Sequence, residues 1–341
     1  MVWRVVQAHP PDRCPGDGMA DRTPLLELKG VSKRYGGIAA LTGVDFKAYA
    51  GEIHAVLGEN GAGKSTLIKI ASGVTDASDG EVLVNGQAHR FRSPTEAMQA
   101  GVVCVFQELS LLPDMTVADN LSMVAPPTRG GMIDAKAQRA RAVELLKRVG
   151  CEDVHPLELV KNLPLSRRQM VEIAKALAKK PKLLILDEAT SALTAADVER
   201  IYQIIRDLRA EGVGILYVSH RMHEIEALAD VATVFRNGRR IETFAKGQRS
   251  VHAIIQMMIG REVTHHYPPK PAYESNREPA LTVANLNWGR ELTDVSFTAG
   301  KGEIVGLGDR GAERRARLAA ALLPTVKVAE FQVIVDGLSR E

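Results

Sequence analysis

Apolar positions in this chain gather into short runs set between longer stretches of mixed character. Residues 53–57, 182–186 and 214–218 are almost wholly apolar, the pattern of strands buried on both faces. Leu25 to Lys29 and Gly43 to Ala48 also read as strands, Glu81 to Gly86 as a strand running into a turn, and Val102 to Phe106 as a strand holding Cys104. Residues 134–149, rich in Ala, Arg, Leu and Lys, predict a helix, and Ile201, Ile204, Ile205 and Leu208 recur at helical spacing. A second apolar stripe, Met170, Ile173, Ala174 and Leu177, follows Ser166-x-x-Gln169, which predicts a capping box at the start of its helix. Short apolar strands alternating with helices imply an α/β fold with a parallel sheet covered on both faces. The Pro-rich, polar stretch 264–279 reads as a linker.

Composition narrows the function classes. A chain of 341 residues has room for two domains. A formal charge of +3 with only 4% aromatic residues argues against nucleic acid as a partner, for want of both a basic footprint and stacking platforms. No apolar run approaches the roughly 18 residues of a membrane span, so a membrane role would run through a partner. Cys14, Cys104 and Cys151 are odd in number and widely spaced, which suits a reducing cytoplasm better than a disulfide framework. Regular patterning starts only after Met19. Residues 1–24 are therefore expected to be a disordered or non-native extension, without the apolar segment of a signal peptide.

The chemistry concentrates at two strand ends. Gly58-Glu59-Asn60-Gly61-Ala62-Gly63-Lys64-Ser65, with Thr66 next, lies between the run 53–57 and a predicted helix. Its glycines let backbone N–H groups close around phosphates; Lys64 brings a point charge and Ser65 a hydroxyl for Mg²⁺. A glycine turn that merely precedes a helix is the plain alternative, but every fixed position of a triphosphate loop is filled. The run 182–186 leads into Asp187-Glu188. In an NTPase the first acid would ligate magnesium and the second polarise the attacking water; a solvated turn is the other reading.

With Lys33-Arg34-Tyr35-Gly36-Gly37, Val105-Phe106-Gln107-Glu108, the stretches 169–177 and 186–194, Val218-Ser219-His220-Arg221 and Met258 to Glu262, these motifs resemble the nucleotide-binding subunits of ABC transporters. The likeness is greatest to the tandem-fused ATPase subunits of bacterial sugar importers of the ribose, galactose and xylose type. It covers residues 25–263 strongly and 279–341 weakly. The resemblance implies a P-loop NTPase of ABC type, with a parallel-sheet core, an antiparallel β subdomain and a helical subdomain. It implies one ABC domain over 25–263, the linker 264–279, and a truncated, degenerate second domain over 280–341. It also implies ATP and Mg²⁺ as ligands, Tyr35 stacked on adenine, Gln107 reaching Mg²⁺ and the water, Asp187 as metal ligand, Glu188 as general base and His220 on the γ-phosphate. Ser191, Ala192, Leu193 and Thr194 would form the loop that touches a partner domain. The implied partners are membrane permease subunits, an extracytoplasmic sugar-binding protein behind them, and another ABC domain to complete the ATP site. The implied location is the cytoplasmic face of the inner membrane, as a peripheral subunit.

Two departures qualify the resemblance. Counting back from Asp187, the family's Leu-Ser-Gly-Gly-Gln signature falls on Leu163-Pro164-Leu165-Ser166-Arg167, so a proline without an N–H replaces the serine. After the linker, 301–305 echo 50–54 and 333–337 echo 82–86, yet Asp309, Ala312, Arg314 and Arg315 stand where Gly58, Gly61, Gly63 and Lys64 would. The expectation is a chain that binds Mg-ATP and by itself turns it over slowly or not at all. The competing readings are a soluble tandem ABC ATPase unconnected with transport, and a nucleotide-binding remnant.

Overall fold

The computed structural model describes residues 22–190, 193, 195–219, 221–260, 278–288, 292–303, 305, 306 and 318. It forms two compact units, 1–264 and 265–341. Nearly all of the N-terminal extension and the linker, all of Arg261-Glu262, and Asp309, Ala312, Arg314 and Arg315 lie outside the described residues.

In chain order, unit one begins with β1 (Leu26–Tyr35), β2 (Ile38–Ala48), β3 (Ile53–Leu57), α1 (Lys64–Ala71), β4 (Asp79–Val84) and β5 (Gln87–His89). There follow α2 (Pro94–Gln99), β6 (Val102–Val105), α3 (Val117–Ser122), the small hairpin β7 (Thr128–Arg129) and β8 (Met132–Ile133), and α4 (Ala135–Arg148). The unit closes with α5 (Leu165–Leu177), β9 (Leu183–Asp187), α6 (Ala195–Ala210), β10 (Gly214–Val218), α7 (Met222–Leu228), β11 (Val231–Arg236), β12 (Arg239–Ala245) and α8 (Val251–Ile259).

The central sheet runs β12-β11-β3-β10-β9-β6, parallel throughout except for the antiparallel edge strand β12. Every residue of β3 and β10 is buried, as unbroken apolar runs in a doubly covered sheet require. A second, antiparallel sheet runs β2-β1-β4-β5. One hydrophobic cluster fills the space between the two sheets and α1, with Leu28, Val31, Leu41, Phe46, Leu67, Ile68 and Phe235. The other joins the opposite face of the central sheet to α3, α4, α5 and α6. No helix among the described residues is long and apolar enough to cross a membrane.

β3 and β10 match their predicted bounds, and α4 begins at an Asp134 cap whose side chain accepts from the Lys136 and Ala137 amides. β1 and β2 are longer than predicted. Their register shifts between Leu28 and Val31 and again near Lys33, so the alternation expected of a regular strand breaks where the strand continues. The capping box is corrected. The helix starts after Pro164, which holds the cap position without a side-chain hydrogen bond; Ser166 lies in the first turn and Gln169 is buried.

Unit two contains β13 (Pro279–Trp288) paired antiparallel with β14 (Leu292–Gly300). This hairpin repeats the irregularity of β1 and β2. In unit one the Gly30 amide (φ 57°) donates to Asp45 and the Gly43 amide (φ 55°) to Ser32, both at 2.9 Å. In unit two the Asn285 amide (φ 50°) donates to Ser296 and the Asp294 amide (φ 53°) to Asn287, again at 2.9 Å. Gly51 (φ 66°) and Gly302 (φ 69°) follow at corresponding places. Asn and Asp are the side chains that most readily accept the left-handed conformation glycine takes freely.

Candidate functional site

The register of the central sheet assembles the site. Val218 on β10 lies level with Val56 on β3 to one side and with Asp187 on β9 to the other, and Val105 on β6 lies level with Leu186. The carboxyl ends of the parallel strands therefore deliver the 58–65 loop, Asp187-Glu188 and Gln107 to one edge, where such sheets bind ligands.

The loop is shaped by close packing. A Cβ on Gly58 (φ 152°) would lie 2.5 Å from the Phe235 carbonyl oxygen, and one on Gly63 (φ 104°) 2.8 Å from that of Ala40. Only glycine fits either place. The Ala62 amide turns back to Glu59 O, and the first bond into α1 is Leu67 N–H to Gly63 O. The amides of the opening turn point out of the helix N-terminus, the arrangement that receives an anion. Lys64 is buried, and its Nζ donates to the carbonyls of Gly58 (2.8 Å) and Glu59 (3.0 Å). Burial lowers its pKa, against the opposing pull of Glu188 and Asp187.

Asp187 is half-buried, and its pKa is pushed up to about 6 by burial and then by the neighbouring Glu188, with Lys64 and Lys69 opposing. Two acids in a poorly hydrated corner call for further positive charge. A carboxylate such as Asp187 and a hydroxyl such as Ser65 are oxygen donors of the type Mg²⁺ takes beside phosphate oxygens. Glu188 is held at φ 49° by its amide's 3.0 Å bond to Val218 O. That conformation costs a non-glycine residue about 1 kcal/mol or more, and the surrounding strands maintain it.

Tyr35 ends β1 half-exposed, with Lys33 Nζ 5.2 Å from its ring centroid. Gln107 is exposed just beyond β6. His220, Ser191, Ala192 and Thr194 lie outside the described residues; Leu193 is half-buried and its amide donates to Thr190 O. In the signature region Leu163 is buried and Leu165 exposed. Arg167 is turned to Asp153 (2.8 Å) and Asp197 (3.1 Å).

The sequence reading missed Glu224. Its fully buried carboxylate accepts from Thr190 (2.8 Å), Tyr217 (2.8 Å) and Ser219 (2.6 Å), with Arg221 at 3.5 Å. It thus ties the chain after Asp187-Glu188 to the end of β10. Burial works to raise its pKa, but the hydrogen bonds from Ser219, Tyr217 and Thr190 outweigh that, and the net shift is downward.

A parallel sheet that carries a glycine loop with a buried lysine, beside an Asp-Glu strand end, defines a P-loop NTPase fold. Its antiparallel sheet and the helices α3 to α5 make it the fold of an ABC cassette. A nucleotide-free ATP-binding cassette from an ABC transporter superposes with TM-score 0.60 at 23% identity, over 70% of this chain and 96% of that one. An ABC transporter cassette in its ADP conformation does so with TM-score 0.61 at 24% identity, over 70% and 99%. Residues 41–191 match the ABC transporter family. The chain is 52% identical to the ribose import ATP-binding protein RbsA 1 of Rhizobium johnstonii over 92% of its length and 61% of that protein's. It is 41% identical to the arabinose import ATP-binding protein AraG of Shigella boydii, over 93% and 63%. The chain thus spans about three-fifths of the curated relatives it matches.

Proposed function

We propose that this chain is the ATP-binding and ATP-hydrolysing subunit of an importer for a monosaccharide or related small carbohydrate. It would dock peripherally on permease subunits at the cytoplasmic face of the membrane, behind an extracytoplasmic sugar-binding protein. The observation that carries the reading is the convergence of the 58–65 loop, Lys64 and Asp187-Glu188 at one sheet edge, in a chain similar to ribose and arabinose import ATP-binding proteins.

In this reading the amides from Gly58 to Thr66, with Glu59, Asn60, Gly61, Ala62 and Gly63 in the loop, wrap the phosphates, and Lys64 exchanges its two carbonyl partners for phosphate oxygens. Tyr35 offers its ring to the adenine. Ser65, Gln107 and Asp187 hold Mg²⁺, which when bound neutralises charge that develops on the transferred phosphoryl group. Glu188 accepts the proton of the attacking water, and His220 steadies the γ-phosphate. The segment 191–194 faces a second ABC domain, whose signature completes the site.

The matching hairpins support a domain plan of one ABC domain over 25–263, a linker over 264–279 and a degenerate copy from 280 onward. In the copy, Arg315 stands in place of Lys64. The first domain's own signature carries Pro164 where a hydroxyl would meet phosphate, so that segment serves the weaker of two composite sites.

The test is Mg-ATP binding and turnover by the chain co-expressed with its permease, wild type against Glu188→Gln. Retained binding with a loss of turnover of about 10²–10³ or more is expected, the scale for removing one group that acts at the transition state. Undiminished turnover by Glu188→Gln would overturn the assignment.

A further inference from the structure

Gln107 has to be brought to the metal, yet among the described residues no hydrogen bond holds its side chain, and it and Glu108 are exposed. Its placement falls to the loop that carries it. That loop is pinned at Ser110, three residues on, by a buried arrangement on α5. Glu172 and Lys175 lie a turn apart on that helix, each only 6% exposed. Instead of pairing directly, both converge on Ser110. The Ser110 hydroxyl donates to Glu172 Oε1 at 2.6 Å and accepts from Lys175 Nζ at 3.0 Å, while the same Nζ donates to the Ser110 carbonyl at 2.9 Å. Glu172 Oε2 is buried with no hydrogen-bond partner among the described residues, so the carboxylate depends on Ser110. Burying two charges on one hydroxyl is an expensive way to fasten a loop, and it holds only while all three groups stay in register. Beyond it, buried Asn120 clamps Leu112 through both its amide and its carbonyl. The chain from Phe106 to Leu112 is thus fixed at its far end and free at Gln107.

We propose that Lys175 and Glu172 are positioning residues for Gln107, acting through the hydroxyl of Ser110. The proposal rests on the ATPase reading above for what Gln107 does, but not for how its loop is held. Lys175→Met removes the ammonium and both of its bonds to Ser110, so the loop is held there only through the Ser110 hydroxyl on Glu172. Because α5 also begins at the signature region, this fastening sets the Gln107 loop against that helix.

Two measurements on the full chain test it. In hydrogen exchange without nucleotide, Lys175→Met speeds the amides of 107–112 by about tenfold or more, while those of 58–66 are unchanged; Ser110→Ala, which removes the hydroxyl but keeps the carbonyl bond to Lys175, does so in part, and Lys175→Arg restores protection. In nucleotide binding, the ratio of ATP affinities with Mg²⁺ and with EDTA falls about five- to tenfold in Lys175→Met and equally in Gln107→Ala, and the double variant loses no more. Unchanged exchange at 107–112 in both Lys175→Met and Ser110→Ala, or losses that multiply in the double variant, would overturn the proposal. A wild-type chain that binds no Mg-ATP would sink the ATPase reading instead, and the exchange result would still decide whether the clasp holds the loop.

Discussion

Replacing Glu224 by glutamine is the sharpest probe of how the site is held. The carboxylate takes three short hydroxyl bonds and an arginine contact in full burial. A hydrogen bond to a charged group contributes about 1.5–3 kcal/mol. Glutamine keeps the volume and one acceptor oxygen, so the Tyr217 and Ser219 hydroxyls can stay bonded without charge assistance. Its NH₂ faces Thr190, which must turn and accept, and Arg221 loses its counter-charge. The sum is a loss of about 3 kcal/mol, at the lower end of what breaking a buried charged network costs. For a unit of this size that corresponds to about 6–12 °C in melting temperature. The pH dependence gives a second handle. The folded pKa of Glu224 lies below its ordinary value of 4.5. Its stabilisation is therefore fully present above that value and is lost as pH falls through the lower, folded one. Thermal melts of wild type and Glu224→Gln should differ equally at about pH 7.5 and about pH 6, and the gap should begin to narrow only once pH falls below the ordinary carboxylate value, shrinking further with continued acidification. A gap under about 1 kcal/mol at neutral pH, or one that widens on acidification, would refute the reasoning.

Other perturbations act on neighbouring parts. Asp187→Asn removes an acid whose charge is disfavoured by burial and by Glu188; the ligand-free chain should melt higher near pH 8, with the difference vanishing below the ordinary carboxylate range, while Mg²⁺ no longer strengthens ATP binding. Gly58→Ala brings a methyl to 2.5 Å from the Phe235 carbonyl oxygen; the strand and loop must part, and loss of stability of about 1–3 kcal/mol with ATP affinity below detection by calorimetry is expected. Pro164→Ser places a hydroxyl at a cap whose backbone (φ −63°, ψ 156°) already suits one; the melt should rise by the equivalent of about 0.5–2 kcal/mol, and a fall would show that Pro164 is itself stabilising.

The strands that carry the chemistry were readable because they are buried on both faces. Residues 53–57 and 214–218 are unbroken runs, and the loop and acid pair follow directly from strand ends. β1 and β2 were only half visible, since the left-handed residues Gly30 and Gly43 interrupt their two-residue period. The start of α5 was misplaced because Ser166 and Gln169 have the spacing of a capping box while the chain enters the helix two residues earlier, at Pro164. Glu172 and Lys175 look in sequence like the wet side of an amphipathic helix; the 106–112 loop and α3 cover that side, which no local pattern shows. Glu224 was invisible for a similar reason. A lone acid early in a short helix gives no hint of the Thr190, Tyr217 and Ser219 hydroxyls that distant segments bring to it.

The hairpin shared by the two units behaves as a gauge block. Each left-handed amide is committed to a side chain on the opposite strand, so sliding either strand by one residue would strand two donors and turn every apolar side chain outward. The distance from hairpin to the following Gly-Glu, Gly51-Glu52 in one unit and Gly302-Glu303 in the other, is thereby fixed. The same device sets that spacing in each unit, whichever residues follow the turn.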